Sequence, residues 1–244
     1  MNLALLTCTG DRPRCLDHLA GLVARRAASM EGSANLLWVV VDDGAVAYKP
    51  QQPANVAMTY IRRERQPGDP AHTLPLNIAA ATSAVGDRPV VFIEDDDYYK
   101  HGWLDECVAS LERGVDVHGE GNARYYHVGV PGWREIGNRN HASLAATSLS
   151  NRAWCALAAH APSHPNPSLD SWLWTTLRRE GMQAELRLGG LRRVWQFKGM
   201  PGRKSTLVVH KNKWLYSVDA KLAKLKSMVD SEDFKFYSNI VEGR

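Results

Sequence analysis

Four acidic residues directly after a short apolar segment constrain the fold of this chain more than any other feature. Residues 90–93 have the composition of a buried strand, and the acidic residues 94–97 follow them at once. Like charges crowded at a strand end repel one another and raise each other's pKa values. A bound cation relieves that repulsion, and carboxylate oxygens suit Mg²⁺ or Mn²⁺. The segment therefore predicts a metal site at the end of a sheet strand, and the alternative is a solvated acidic turn.

The composition is ordinary for a globular protein. The 244 residues are 44% hydrophobic and 23% charged. No apolar run approaches the roughly twenty residues of a membrane helix, so we expect no transmembrane segment. The N-terminus begins as a strand and lacks the basic flank of a signal peptide, which predicts a cytoplasmic protein. The four cysteines lack the paired spacing of a zinc site, and we expect reduced thiols.

Strand and helix patterns alternate in the first half of the chain, which predicts an α/β fold with crossover helices. The predicted strands there are residues 3–8, 35–41, 56–61 and 90–93, and the predicted helices are residues 14–28, 76–85 and 101–111. The second half is less regular. Its predicted strands are residues 125–130, 144–149 and 184–188, and its predicted helices are residues 151–160, 168–180 and 221–228. We expect one domain over residues 1–190 and a C-terminal extension over residues 191–244.

Positive charge is concentrated in the C-terminal third. Residues 187–226 contain eleven lysines and arginines and a single acid, Asp219, although the whole chain has a net charge of only +4. Such a segment suits an anionic partner, either a diphosphate or a larger polyanion, and the alternative is a solvated basic face.

Four short motifs follow one another along the chain. They are Thr9-Gly10-Asp11-Arg12-Pro13 with Leu16, Val41-Asp42-Asp43-Gly44, Leu76-Asn77 with residues 92–97, and Leu169-Asp170-Ser171-Trp172-Leu173-Trp174. In this order they resemble motifs of the GT-A-fold glycosyltransferases, most closely the family-2-like group that uses nucleotide-diphosphate sugars. The resemblance covers about residues 3–180. It implies a Rossmann-like, mixed but mostly parallel sheet flanked by helices, and transfer of a sugar to an acceptor hydroxyl.

The resemblance also implies roles for individual residues. Residues expected to bind the nucleotide-sugar donor are Thr7, Thr9, Asp11, Arg12, Asp43, Asn77 and Asp95. Residues expected to contact Mn²⁺ or Mg²⁺ are Asp96, Asp97 and His210. The family's D-x-D motif maps onto residues 94–96 or residues 95–97, and the sequence leaves this register open.

Asp170 begins a predicted helix, where a carboxylate also interacts favourably with the helix dipole. The resemblance implies that it is the general base that takes a proton from the acceptor hydroxyl in an inverting transfer. In a retaining enzyme it would orient the acceptor or the sugar instead. Residues expected to contact the acceptor or a phosphate are Arg203, Lys204, Lys211 and Trp172.

The acceptor is either a saccharide or cell-envelope glycan, or a hydroxymethylated base in DNA. The basic segment favours DNA, and such a base would have to leave the stack to reach a pocket. A sugar-nucleotide nucleotidyltransferase is the alternative enzyme, but it usually has a glycine-rich basic loop after the first strand, and residues 9–13 contain one glycine. A phosphohydrolase of the D-x-D-x-T/V type does not fit Tyr98-Tyr99. A non-catalytic nucleic-acid-binding module leaves the acidic cluster unexplained.

Overall fold

The computed structural model describes residues 1–32, 34–163, 168–190, 192–202 and 213–243. Its strands are β1 Asn2–Thr9, β2 Asn35–Asp42, β3 Ala57–Arg62, β4 Val90–Phe92, β5 Tyr98–Tyr99, β6 Val117–Glu120, β7 Arg124–His127, β8 Gly132–Glu135, β9 Thr147–Leu149, β10 Ala184–Arg187, β11 Val194–Lys198 and β12 Ser217–Val218. Its α-helices are α1 Pro13–Ala28, α2 Leu74–Val85, α3 Trp103–Glu112, α4 Asn151–His160, α5 Leu169–Arg179, α6 Ala223–Met228 and α7 Ser231–Val241.

A seven-stranded sheet with the order β10-β6-β9-β4-β1-β2-β3 forms the centre of the fold. β1 pairs in parallel with β2 and β4, β2 with β3, and β10 with β6, whereas β9 is antiparallel to both β4 and β6. Strands covered on both faces are apolar throughout, which explains the aliphatic runs of β1 and β2. The sheet is mixed and mostly parallel, which confirms the predicted fold class.

Proline positions set two helix starts. α1 begins at Pro13, and α2 begins at Leu74 with Pro75 in its first turn. Proline is tolerated there because the first-turn N–H groups have no partner within the helix. The predicted start of α2 at residue 76 is therefore two residues late.

A second sheet has the order β12-β8-β7-β11-β5. β5 directly follows the acidic residues and pairs antiparallel with β11, with Val194 opposite Tyr99 and Trp195 opposite Tyr98. β11 also pairs in parallel with β7. This pairing brings the end of β11 next to the acidic residues. The predicted domain boundary at residue 190 stays a prediction, although strands from both sides of it pair here.

Several predicted elements differ from the structure. Residues 144–146 form a 3-10 helix, so only Thr147–Leu149 of the predicted strand 144–149 is extended. The predicted strand 125–130 ends at His127. α6 begins at Ala223 and not at residue 221, because the backbone of Leu222 has a φ of 52°, in the left-handed region. The sequence analysis did not predict β6, β8, β11 or α7.

α7 packs against the back of the second sheet and against α1. The Tyr237 ring stacks on Phe197 with a centroid distance of 3.9 Å, and the Phe236 ring stacks on His18 at the same distance. Tyr237 is 1% exposed. α7 therefore supports the strand that faces the acidic residues. Every helix within the described residues falls short of the length or apolar character that a bilayer-spanning segment needs.

Candidate active site

The ends of three neighbouring strands define the candidate site. Thr9 at the end of β1 is in register with Asp42 at the end of β2, and the acidic residues 94–97 follow β4. β1 lies between β2 and β4, so the strand order reverses at this point. In open α/β sheets, ligands bind in the crevice outside the carboxyl ends of the strands at such a reversal.

Three carboxylates converge at this edge of the sheet. Glu94, Asp96 and Asp97 each offer one oxygen, and the three oxygens lie within 4.8 Å of one another. Oδ1 of Asp97 accepts a hydrogen bond of 2.8 Å from the backbone N–H of Phe197. Oδ2 of Asp97 is buried and has no hydrogen-bond partner among the described residues. Converging carboxylate oxygens, one of them buried and unpaired, fit a hard divalent cation such as Mg²⁺ or Mn²⁺.

Asp95 faces a different partner from its neighbours. The hydroxyl of Thr9 donates to its Oδ2 at 2.5 Å, and Nη1 of Arg12 donates to its Oδ1 at 2.9 Å. The structure thus groups Asp96 and Asp97 with Glu94, which the predicted metal set did not include, and ties Asp95 to the loop after β1. Both D-x-D registers, residues 94–96 and residues 95–97, stay open.

Two cationic side chains flank the acidic group. Nη1 of Arg12 lies 2.7 Å from Oδ2 of Asp96, and Nζ of Lys198 lies 4.0 Å from Oδ1 of Asp97. The Lys198 side chain is only 13% exposed. The sequence analysis counted Lys198 in the basic segment without assigning it a role. A strand prediction for β11 would have been the signal, because it places Lys198 at a strand end.

Burial and mutual repulsion shift the protonation of this group. Burial raises the pKa of Glu94 to about 7, with the charge of Lys198 opposing and Asp96 and Asp95 adding to the shift. Burial also raises the pKa of Asp97 well above its usual range, again against Lys198. The pKa of Lys198 rises despite burial, because Asp97, Asp96 and Glu94 stabilise its charge. These directions are those expected of crowded, buried carboxylates that lack a full complement of positive charge.

A cavity of about 250 Å³ adjoins the end of β1. The residues that line it are Thr9, Asp11, Arg12, Pro13, Leu16, Asp42, Val46 and Tyr48. Oδ1 of Asp42 accepts from the N–H of Gly44 at 2.8 Å, and Oδ1 of Asp11 accepts from the N–H of Ala45 at 2.6 Å. These two carboxylates hold the loop after β2 in place beside the cavity.

Asp43 and Asn77 belong to a buried network of hydrogen bonds and are not among the residues that line the cavity. The Asp43 side chain is fully buried, and its Oδ2 accepts from Nη2 of Arg63 at 2.9 Å and from the hydroxyl of Thr73. Nε of Arg63 also donates to Oδ1 of Asn77 at 2.5 Å. Asp42 lines the cavity and Asp43 does not. The sequence analysis missed Arg63, since a lone arginine after a strand carries no motif.

Thr7 is not among the residues that line the cavity. It is fully buried, its hydroxyl donates to the carbonyl of Ile93 at 2.6 Å, and it accepts from Nε1 of Trp38 at 2.9 Å. These hydrogen bonds link β1 to the neighbouring strands, and the expected contact of Thr7 with the donor stays a prediction.

Asp170 lies in the first turn of α5, and its Oδ1 accepts from the N–H of Ser171 at 2.8 Å. Its charge also acts on Tyr125, a residue that the charge of Asp97 affects as well. Burial raises the pKa of Tyr125, Lys198 opposes this shift, and the carboxylates of Asp170 and Asp97 add to it. The carboxylates of Asp170 and Asp97 thus both act on Tyr125.

Trp172 is partly buried and makes an edge contact with the ring of His160, with centroids 6.2 Å apart. The other predicted acceptor, phosphate and metal contacts, Arg203, Lys204, His210 and Lys211, lie outside the described residues.

Comparison with known proteins identifies a fold. No protein-family model matches the chain, and no curated protein matches it. The crystal structure of S. aureus TarS 1–349 in complex with UDP-GlcNAc aligns over 99% of this chain and 65% of that chain, with 14% identity and a TM-score of 0.55. The fold is that of the GT-A glycosyltransferases.

Two other solved structures align with the GT-A fold of this chain. The mannosyltransferase PcManGT from Pyrobaculum calidifontis in complex with GDP-Man and Mn²⁺ has 13% identity, a TM-score of 0.48 and coverage of 82% of this chain and 57% of that chain. A putative glucose-1-phosphate thymidylyltransferase from Bacillus anthracis has 7% identity, a TM-score of 0.46 and coverage of 78% and 87%. The chain spans less than two thirds of the TarS fragment that it matches.

Proposed function

We propose that this protein is a metal-dependent glycosyltransferase, which transfers a sugar from a nucleotide-diphosphate sugar to an acceptor hydroxyl. The observation that carries the proposal is the convergence of Glu94, Asp96 and Asp97 beside a cavity at the ends of parallel strands. The GT-A fold supports it, and the TarS structure of the same fold contains UDP-GlcNAc.

In this proposal the cavity receives the nucleoside of the donor. Tyr48 offers an aromatic ring, and Asp11 and Asp42 fix the loop that shapes the cavity. Arg12 lies between the cavity and the acidic group, because it lines the cavity and pairs with Asp95 and Asp96. Its guanidinium is therefore placed to orient both the donor and the carboxylates.

Glu94, Asp96 and Asp97 would hold Mn²⁺ or Mg²⁺. A bound divalent cation neutralises the charge that develops on the leaving nucleoside diphosphate. One carboxylate is already held in place, because the N–H of Phe197 fixes Oδ1 of Asp97, while Oδ2 has no hydrogen-bond partner in the described part of the chain. Such fixed groups need no reorganisation during the reaction.

Asp170 is proposed as the general base in an inverting transfer. The acceptor oxygen would attack the anomeric carbon, the bond from that carbon to the diphosphate would break, and the hydroxyl proton would pass to the Asp170 carboxylate. The charge of Asp170 acts on Tyr125 together with that of Asp97, which is consistent with a place near the acidic group.

The test is incubation with a panel of nucleotide sugars and Mn²⁺, followed by measurement of released nucleoside diphosphate. We expect slow release with at least one donor, and Asp97→Asn should reduce it by about two orders of magnitude or more. Asp87→Asn, the same change at an exposed position, should have no effect. Conversion of the nucleotide sugar and added pyrophosphate into nucleoside triphosphate and sugar 1-phosphate would instead identify a nucleotidyltransferase, and no reaction with any donor would contradict the proposal.

A further inference from the structure

Lys198 and Arg12 neutralise the acidic group in different ways. Arg12 contacts Asp95 and Asp96 at 2.9 and 2.7 Å, so two short charged contacts fix its guanidinium. Nζ of Lys198 lies 4.0 Å from Oδ1 of Asp97, which is beyond hydrogen-bond range. An ammonium on a flexible four-carbon chain is also easier to move than a guanidinium held at two points. Lys198 is therefore the more readily displaced of the two cations.

The two carboxylate oxygens of Asp97 have different surroundings. Oδ1 accepts from the N–H of Phe197 and faces Lys198, whereas Oδ2 is buried without a partner in the described residues. A cation that binds Oδ2 together with Glu94 and Asp96 can leave the Phe197 bond intact. It would nevertheless repel the Lys198 ammonium, since both positive charges would lie close to the same carboxylate.

The Lys198 ammonium has a second neighbour besides Asp97. Nζ lies 5.5 Å from the centre of the Tyr125 ring, within reach of a cation–π contact. The chain after Lys198 runs to Gly202, which lies directly against Asp11 and Arg12 at the cavity. Lys198 thus lies at the acidic group, four residues before the glycine that adjoins the cavity. An anionic ligand in the cavity would attract the ammonium when the cation repels it.

We propose that Lys198 is an internal counter-cation, which balances Asp97 until a divalent cation replaces it and then pairs with the diphosphate of the donor. Lys198 would thereby couple cation binding to donor binding. This inference rests on the proposed function, because it requires a donor with a diphosphate. Lys198 is a positioning residue in the absence of donor and a substrate contact in its presence.

The first test measures Mn²⁺ binding without nucleotide, from the paramagnetic resonance signal of free Mn²⁺. Removing the competing charge in Lys198→Met should tighten Mn²⁺ binding about tenfold or more, within the usual range of coupling between sites. Lys198→Arg, which keeps the charge, and Lys224→Met, which removes a lysine stacked on Trp133, should bind as the wild type does. Unchanged or weaker binding by Lys198→Met would overturn the proposal.

The second test repeats the titration with saturating UDP or GDP, whichever binds the wild type. The nucleotide should strengthen Mn²⁺ binding in the wild type, and this enhancement should be about tenfold smaller in Lys198→Met, because the coupling is reciprocal. An equal enhancement in both proteins would contradict the proposed coupling. A wild type that binds neither Mn²⁺ nor any nucleotide would refute the proposed function itself.

Loss of Lys198 removes the cation that faces Asp97 and leaves only Arg12 beside the acidic group, so the variant must be shown to fold. Thermal unfolding with and without Mn²⁺ addresses this case. Mn²⁺ should raise the melting temperature of Lys198→Met, or of the milder Lys198→Gln, more than that of the wild type. An equal or smaller rise in both variants would count against Lys198 as the group that the cation replaces.

Discussion

At this site, acidic residues that are adjacent in the sequence make different contacts. Asp95, Asp96 and Asp97 are adjacent in sequence, yet one contacts Thr9 and Arg12 while the other two converge with Glu94. Likewise, Asp42 lines the cavity, whereas Asp43 belongs to a buried hydrogen-bond network. Asp95 and Asp96 lie in a turn between β4 and β5, so the side chains of this acidic run point in different directions and reach different partners.

Asp170→Asn tests the general base at this scale. The substitution keeps the shape of the side chain but removes a proton acceptor, so turnover should fall by about two orders of magnitude or more while the donor dissociation constant is unchanged. Steady-state kinetics and calorimetric titration of the donor would measure the two quantities. Near-normal turnover would rule out this role, and weaker donor binding would assign Asp170 to sugar orientation.

Gly44→Ala tests the loop that shapes the cavity. A Cβ at position 44 would lie 2.7 Å from the backbone nitrogen of Asp11, so the loop must move. We expect donor binding to weaken about tenfold, by loss of the fit between loop and donor. Gly68→Ala is the matched control, because a Cβ there meets nothing within 4 Å. Equal donor affinity in both variants would show that this loop does not contact the donor.

At the scale of elements, helices and strands with regular hydrophobic patterns were predicted well from the sequence. Strands that depend on long-range pairing were not. The bounds of α4 agree fully with the predicted helix over residues 151–160, and β1, β2 and α1 agree within one or two residues. β6 and β8 are short and rich in polar residues, and each has a partner much later in the chain, β9 and β10 for β6 and β12 for β8. Local sequence carries little information about such strands, because packing against neighbours decides whether they form.

The contact between α1 and α7 predicts a pH dependence of stability. Burial lowers the pKa of His18 to about 4, and the charge of Arg25 adds to this shift. Because the unfolded chain binds a proton near the ordinary pKa of 6.5 and the folded chain does not, His18 contributes fully above that value. The contribution declines as the pH falls from 6.5 to about 4. This loss amounts to about 2.5 kcal/mol between about pH 7 and about pH 4.5.

Urea unfolding of His18→Phe at both pH values measures this contribution. Phenylalanine keeps the stack on Phe236 but cannot bind a proton, so the variant should lose less stability than the wild type on acidification. His160→Phe, at an exposed position, should behave as the wild type does. The same loss in wild type and His18→Phe would show that His18 is not the titrating group.

At the scale of the whole molecule, internal ion pairs use part of the basic segment. Arg187 pairs with Glu106 at 2.5 Å, Arg193 with the same carboxylate group at 3.1 Å, and Lys198 faces Asp97. Fewer charges than the sequence suggests are therefore left for a polyanion. Both acceptor classes, a hydroxymethylated base in DNA and a saccharide or cell-envelope glycan, stay predictions.

Salt dependence of DNA binding distinguishes these acceptors. If the basic segment contacts DNA phosphates, affinity for a hydroxymethylated duplex should fall steeply with salt, by about one power of concentration per phosphate contact. Lys221→Glu with Lys226→Glu should reduce both affinity and slope, whereas Lys49→Glu, outside the segment, should not. Fluorescence anisotropy would measure binding, and an absence of binding or of salt dependence would favour a glycan acceptor.

The sequence by itself determined the alternating strands and helices of the first half and the acidic strand end. These features follow from local patterns of apolar and charged residues along the chain. Only the tertiary structure decided which carboxylates converge, that Thr7 is buried and that Lys198 faces Asp97. Thr7 is buried because β1 lies between β2 and β4, and Lys198 faces Asp97 because β11 pairs with β5, about a hundred residues apart. Local patterns do not encode the partner of a strand.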